Sequence, residues 1–427
     1  SYTGNGSEQL VETGFEPAFV ITKSTSATGH WRMYDNKRGS TDSSSSYVGN
    51  RKVLYGDLDI AEGNGINEIR FLSNGFEVGP GNNTNTNGVS FIYMAFAADP
   101  DTIAPTLADS FSTVAYTGTG TNQKVEGLGF APNLAWIKSR SINNTNVLHD
   151  TVRGIGNVLY SNLTNAEADE SAYFTSVGYD YLQFGTNAGN YNNTGTDYVA
   201  WAWKADDNEP TINTEGSTDS IVSANANAGF SIVKYEGNGT SGATVGHGLS
   251  AAPDLMIVKI ATGNIGNWAI YHKDLGATKL LQFNTAAAQT NSAWWNNTAP
   301  SSSVFSVGTT SDTNASSYGY IAYCFHSVSG YSKIGSYTGN GSSSGPTVTT
   351  GFQPDWIMIK STSIAGAWMI IDSVRGTSQL LQPQSNAVEQ NVGTPINFTS
   401  TGFQITDTND SRNQSGATYI YMAFKIN

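Results

Sequence analysis

With 427 residues, the chain exceeds what one hydrophobic core holds at roughly 100–200 residues per domain, so two to four domains are expected. Its formal charge of −13 comes with 21 thinly spread Lys and Arg, which excludes nucleic acid as a direct partner, because phosphate binding needs clustered cations. The 46 Gly, 21 Tyr and 18 Phe, in a background poor in Leu, Glu and Lys, favour short strands and tight turns over helices.

The first element is Tyr2-Thr3-Gly4-Asn5-Gly6. The same Tyr-x-Gly-x-Gly turn returns at Tyr116–Gly120, Tyr235–Gly239 and Tyr337–Gly341. A proline follows each turn, at Pro17, Pro132, Pro253 and Pro354. An apolar run ending in lysine comes next: Phe19–Lys23, Leu134–Lys138, Leu255–Lys259 and Trp356–Lys360. Each copy closes on an aromatic run, Phe91–Phe96, Tyr198–Trp203, Tyr320–Phe325 and Tyr419–Phe424. These landmarks define four tandem modules, residues 1–98, 113–204, 218–327 and 331–427.

Units of this length can each own a core, so separate beads on a string are expected. The post-Pro and closing runs are apolar on both faces, the pattern of inner strands in a packed sandwich. The predicted fold is therefore all-β, four antiparallel β-sandwiches of lectin-like or jelly-roll-like form. Linkers are expected around residues 99–112 and 205–217. The chain opens inside a repeat at Ser1 with no visible signal peptide, so either a leader was removed or none was needed. No apolar stretch approaches the ~18 residues of a membrane helix, so membrane insertion is not expected.

An Asp-x-x-Arg-Gly element follows the post-Pro run at Asp35/Arg38, Asp150/Arg153 and Asp372/Arg375. In module 3 the Asp position holds His272 and the Arg position Leu275, while Gly276 is kept. Joint loss of both charges predicts structural ion pairs that fix a turn, because orphaning one buried partner is costly, with a ligand or metal role as the alternative. The four lysines read as solvated strand ends or partners of loop carboxylates, without a catalytic role. Asp57, Asp59 and Glu62 resemble the alternating carboxylates of sandwich glycosidases. The aligned residues of module 2, Asn162 and Thr164, argue against catalysis there.

Cys324, the one cysteine, reads as a small core residue and excludes a cysteine-based metal site. Five scattered His give no zinc spacing, and the Asp- and Asn-rich loops lack the regular ligand spacing of an EF-hand for Ca²⁺. No cofactor or metal is expected. Trp294 and Trp295 face opposite ways if extended, so one is expected to be exposed as a sugar platform, with a module contact as the alternative.

Taken together, Tyr-x-Gly-x-Gly, Gly-Phe-x-Pro-Asp, Trp with Asp-x-x-Arg-Gly, and Tyr-Ile-Tyr-Met-Ala-Phe resemble repeated modules of structural and tail-fibre-like proteins of marine tailed bacteriophages. The resemblance spans all four modules and implies a virion or extracellular location and a lectin-like sandwich. It carries no catalytic residues. Module 3 departs at His272 and Leu275, and module 2 has Asn146 in place of the Trp. The expected function is that of a non-enzymatic fibre, spike or decoration protein, homo-oligomeric, meeting other virion proteins or host surface glycans. The alternative is a secreted or cell-surface adhesin or glycoside hydrolase.

Overall fold

In the computed structural model each repeat builds the same antiparallel kernel, in the spatial order Tyr strand, closing strand, post-Pro strand, Asp strand. The structure describes residues 1–427 apart from 16, 37, 39–49, 73–74, 81, 98–109, 187–188 and 427. With 45% strand and 3% helix the fold is all-β, and the three helices among the described residues are single turns. In module 2 the kernel is Phe111–Thr117, Asp197–Trp203, Leu134–Ser139 and Val147–Asp150. In module 3 it is Phe230–Glu236, Gly319–Phe325, Leu255–Thr262 and Ala269–His272, and in module 4 Ser332–Thr338, Thr418–Phe424, Trp356–Ser361 and Met369–Asp372.

A second, smaller sheet covers one face of each of these kernels. In module 2 it is Gln123–Glu126, Tyr181–Phe184 and Phe174–Gly178. Alternation along the strand decides what faces it. Ala135 and Ile137 point into the module's own core with Phe174, Leu182 and Phe184, while Leu134 and Trp136 point the other way.

The chain divides into two compact units, Ser1–Ile103 and Ala104–Asn427. The second unit departs from separate beads. The outward residues of its three kernels meet in one central core: Leu134, Trp136, Trp201 and Trp203 of module 2, Leu255, Ile257, Tyr323 and Phe325 of module 3, and Trp356, Met358, Met422 and Phe424 of module 4. Their post-Pro and closing strands are apolar on both faces for two reasons, one sandwich core and one shared core. Fully burying such a side chain is worth about 1.5–3 kcal/mol, so the three modules hold together through many such terms.

The linker expected at residues 205–217 is absorbed into this unit. Ala205 is in the central core, and Thr211–Asn213 pairs with Ser220–Asn225 to extend the module 3 sheet. Most of the other expected linker lies outside the described residues.

The first unit is one eight-stranded sheet folded around its own core of Tyr2, Val20, Tyr34, Val53, Ile69 and Phe76. Its kernel is Tyr2–Thr3, Ser90–Ala97, Pro17–Ser24 and Arg32–Asp35. Its closing strand departs from the expected two-sided burial. Ile92, Met94 and Phe96 on the outer side are 42%, 52% and 54% exposed.

Candidate functional site

The Tyr-x-Gly-x-Gly turn is structural in every copy. The hydroxyls of Tyr2, Tyr116, Tyr235 and Tyr337 donate to the carbonyls of Thr84, Tyr191, Thr313 and Arg412, at 2.5–2.8 Å. The next residue along, Asn85, Asn192, Asn314 or Asn413, is buried and its side-chain oxygen accepts from the turn's backbone N–H at 2.7–2.9 Å. The first glycine leaves no room for a side chain. A Cβ on Gly118 would sit 2.3 Å from the Asn193 carbonyl oxygen. The second, Gly120, has φ +73°, a conformation that glycine adopts at little cost. The tyrosine and glycines were legible as a motif, but their asparagine partner, some 75 residues on, was not.

The joints of the second unit repeat in a cycle of 2 to 4, 4 to 3 and 3 to 2. The amine of Lys138 donates to Ser385 O of module 4 at 2.9 Å, Lys360 to Ala286 O of module 3 at 3.4 Å, and Lys259 to Thr164 O of module 2 at 3.1 Å. These lysines are buried beside carbonyls, which corrects the expectation of solvated ends or carboxylate partners. Burial pulls the amine of Lys138 down to about 7 and those of Lys259 and Lys360 to about 8. The indole that recurs in modules 3 and 4 works the same way. Trp368 Nε1 donates to Gln282 O at 3.1 Å and Trp268 Nε1 to Tyr160 O at 2.9 Å. Asn146 fills this place in module 2, its amide donating to Pro383 O at 2.8 Å.

The Asp–Arg pairs form as ion pairs. Arg Nε to Asp Oδ2 is 2.5 Å at Asp35/Arg38, 2.6 Å at Asp150/Arg153 and 2.7 Å at Asp372/Arg375. A glutamate further along completes each set: Glu62, Glu167 and Glu389. In the second unit these pairs are also joints. Asp150 accepts from the Tyr323 hydroxyl of module 3 at 2.8 Å, and Asp372 from the Trp201 indole of module 2 at 3.1 Å.

Strand register makes Trp201, Tyr323 and Met422 equivalent. The remaining joint places His272 with Met422 around a small apolar gap. Methionine offers no hydrogen to a carboxylate. The aspartate and its arginine are therefore absent where the neighbour cannot donate. The charges missing from module 3 are explained by a residue of module 4.

Trp294 and Trp295 are 4% and 0% exposed, so the expected exposed platform is not there. Both fill the module 3 core, Trp295 edge-on to Tyr271. Cys324 is buried as expected. Asp57 accepts from His30 and the Trp31 backbone, while Glu62 binds Arg38 and Lys52, so these two carboxylates are engaged by separate partners. Among the described residues no group of three or more His, Cys, Asp or Glu converges on a metal-sized site.

An open cleft of about 400 Å³ on module 2 went unnoticed in the sequence. Ile142, Asn143, Asn144, Glu170, Tyr173, Asn190, Tyr191 and Asn193 line it. Glu170 accepts from the hydroxyls of Tyr160, at 2.9 Å, and Tyr191. Tyr191 also lies 2.8 Å from His149 Nε2. Glu170 is the one carboxylate among the described residues that line it.

A family model described as a domain of unknown function matches residues 1–100 and 106–427. The chain belongs to this family, DUF7483. The break between the two DUF7483 matches falls at the boundary between the two units, and the second match runs through all three modules that share the central core. No curated protein and no solved structure matches the chain.

Proposed function

We propose that this DUF7483 chain is a structural display protein of an extracellular or virion assembly, acting without catalysis. One observation carries the reading: the polar residues that recur from module to module are spent on holding the fold. The tyrosine and asparagine fix a turn, and in the second unit the lysine, the Trp or Asn, and the Asp–Arg pairs of modules 2 and 4 join one module to the next. Conserving a catalytic centre would instead leave a repeated polar group free at a cleft. The resemblance to tail-fibre-like modules of marine phages points the same way.

The test is immunogold labelling of particles from the source, together with a polysaccharide hydrolysis panel on the purified chain. Particle labelling with no hydrolysis is expected. Hydrolysis lost in Asp59→Asn or Glu170→Gln overturns the proposal. A second reading, glycan contact, is favoured by the module 2 cleft, whose asparagines, Tyr173 and Glu170 offer hydrogen bonds and a stacking face. Glycan-array binding that disappears in Asn143→Ala/Tyr173→Ala supports it, and an array with no binding removes it.

A further inference from the structure

Module 1 carries the outer face that modules 2, 3 and 4 bury against one another, yet here that face is open. Its closing strand presents Ile92, Met94 and Phe96, which strand register makes equivalent to Ile420, Met422 and Phe424 of module 4. The three outer residues are identical in the two modules, whereas module 2 has Val199, Trp201 and Trp203 there. The joint chemistry is present as well. Lys23 Nζ donates to Ser24 O at 2.8 Å, as Lys360 donates to Ser361 O at 2.6 Å, but Lys360 has a further acceptor from the neighbouring module. Trp31 is half-exposed where Trp368 is buried, and Asp35, Arg38 and Glu62 repeat Asp372, Arg375 and Glu389.

We propose that this face docks a pair of DUF7483 modules from outside residues 1–427, with module 1 taking the place that module 4 holds in the second unit. The pair is of stated chemistry. One member resembles module 2 and gives Asp35 an aromatic hydrogen-bond donor, as Trp201 gives Asp372. The other resembles module 3 and sets an uncharged side chain against Met94, as His272 lies beside Met422. Residues 1–427 cannot supply this pair, because their module 2 and module 3 faces are already buried against module 4. Copies of module 1 fit less well. Each joint would set Asp35 against Met94, an aspartate facing a side chain that cannot donate, a combination found at none of the three joints described.

The face can be tested on this protein's own modules. A chain with residues 1–97 grafted in place of residues 331–427 offers the module 1 face to modules 2 and 3. It is expected to be monomeric by light scattering and to unfold in urea in one cooperative tryptophan-fluorescence transition. Met94→Glu/Phe96→Glu within the graft is expected to abolish that transition, and the same pair in the unaltered chain to leave it unchanged. Three results overturn the proposal: a graft with no cooperative transition while the unaltered chain has one, a graft indifferent to the two glutamates, or an unaltered chain that is a trimer dissolved by them. The last would assign the face to copies of module 1.

Discussion

Arg375→Ala isolates what a joint-forming ion pair contributes. The Arg375 side chain donates to Asp372 at 2.7 Å, to Glu389 at 2.8 Å and to the Ile370 carbonyl at 3.3 Å, with the side chains of Arg375 and Asp372 both 0% exposed. Without the guanidinium, Asp372 keeps the Trp201 indole and the residue 375 backbone N–H as donors but loses its counter-charge. Orphaning a buried charge costs about 3–5 kcal/mol. Arg38→Ala removes the same chemistry where the two side chains are 28% and 22% exposed, and should cost under about 1 kcal/mol. Asp372→Ala/Arg375→Leu removes both charges, as module 3 does, and should cost less than Arg375→Ala alone. Eight of the nine tryptophans lie in the second unit, all but Trp31, so urea unfolding followed by tryptophan fluorescence reads it directly. Far-UV circular dichroism serves for Arg38→Ala. A loss below about 1 kcal/mol for Arg375→Ala, or a double variant worse than the single, would refute the account of the joint.

The buried lysines make stability depend on pH. Folding lowers the Lys138, Lys259 and Lys360 amines to about 7–8. Above that range the unfolded chain still holds protons that the folded chain has released, so stability should rise as pH goes from 7 to about 9. Urea midpoints at several pH values check the sign, and Lys360→Met should flatten the rise; a midpoint that falls over this window contradicts it. Burial pushes the Cys324 thiol up to about 12, with 0% of the residue exposed. A thiol reagent should therefore label the native protein only as fast as it unfolds, and prompt labelling in native buffer would contradict the burial.

The repeat, the strand content and the ion pairs were legible in the sequence because they are local. A strand shows its apolar faces by alternation, and an Asp three residues before an Arg meets it within one turn. The same locality hid the joints. A strand apolar on both faces reads alike whether the second face meets a sheet of its own module or a neighbouring module, and Trp136 and Ile137 take opposite sides for that reason. Lys138 and Ser385 are 247 residues apart, so no spacing could reveal that a strand-end lysine ends on another module's carbonyl. The paired tryptophans misled because adjacent side chains need not flank a strand. Both lie inside, just before the turn through Asn296 and Asn297, where φ is +50° and +53°. What the sequence determined by itself is four copies of one β module with their internal pairings. Only the tertiary structure decided that three of them close around a shared core, because that closure rests on contacts such as Lys360 with Ala286 and Lys138 with Ser385, 74 and 247 positions apart, where sequence pattern carries no register.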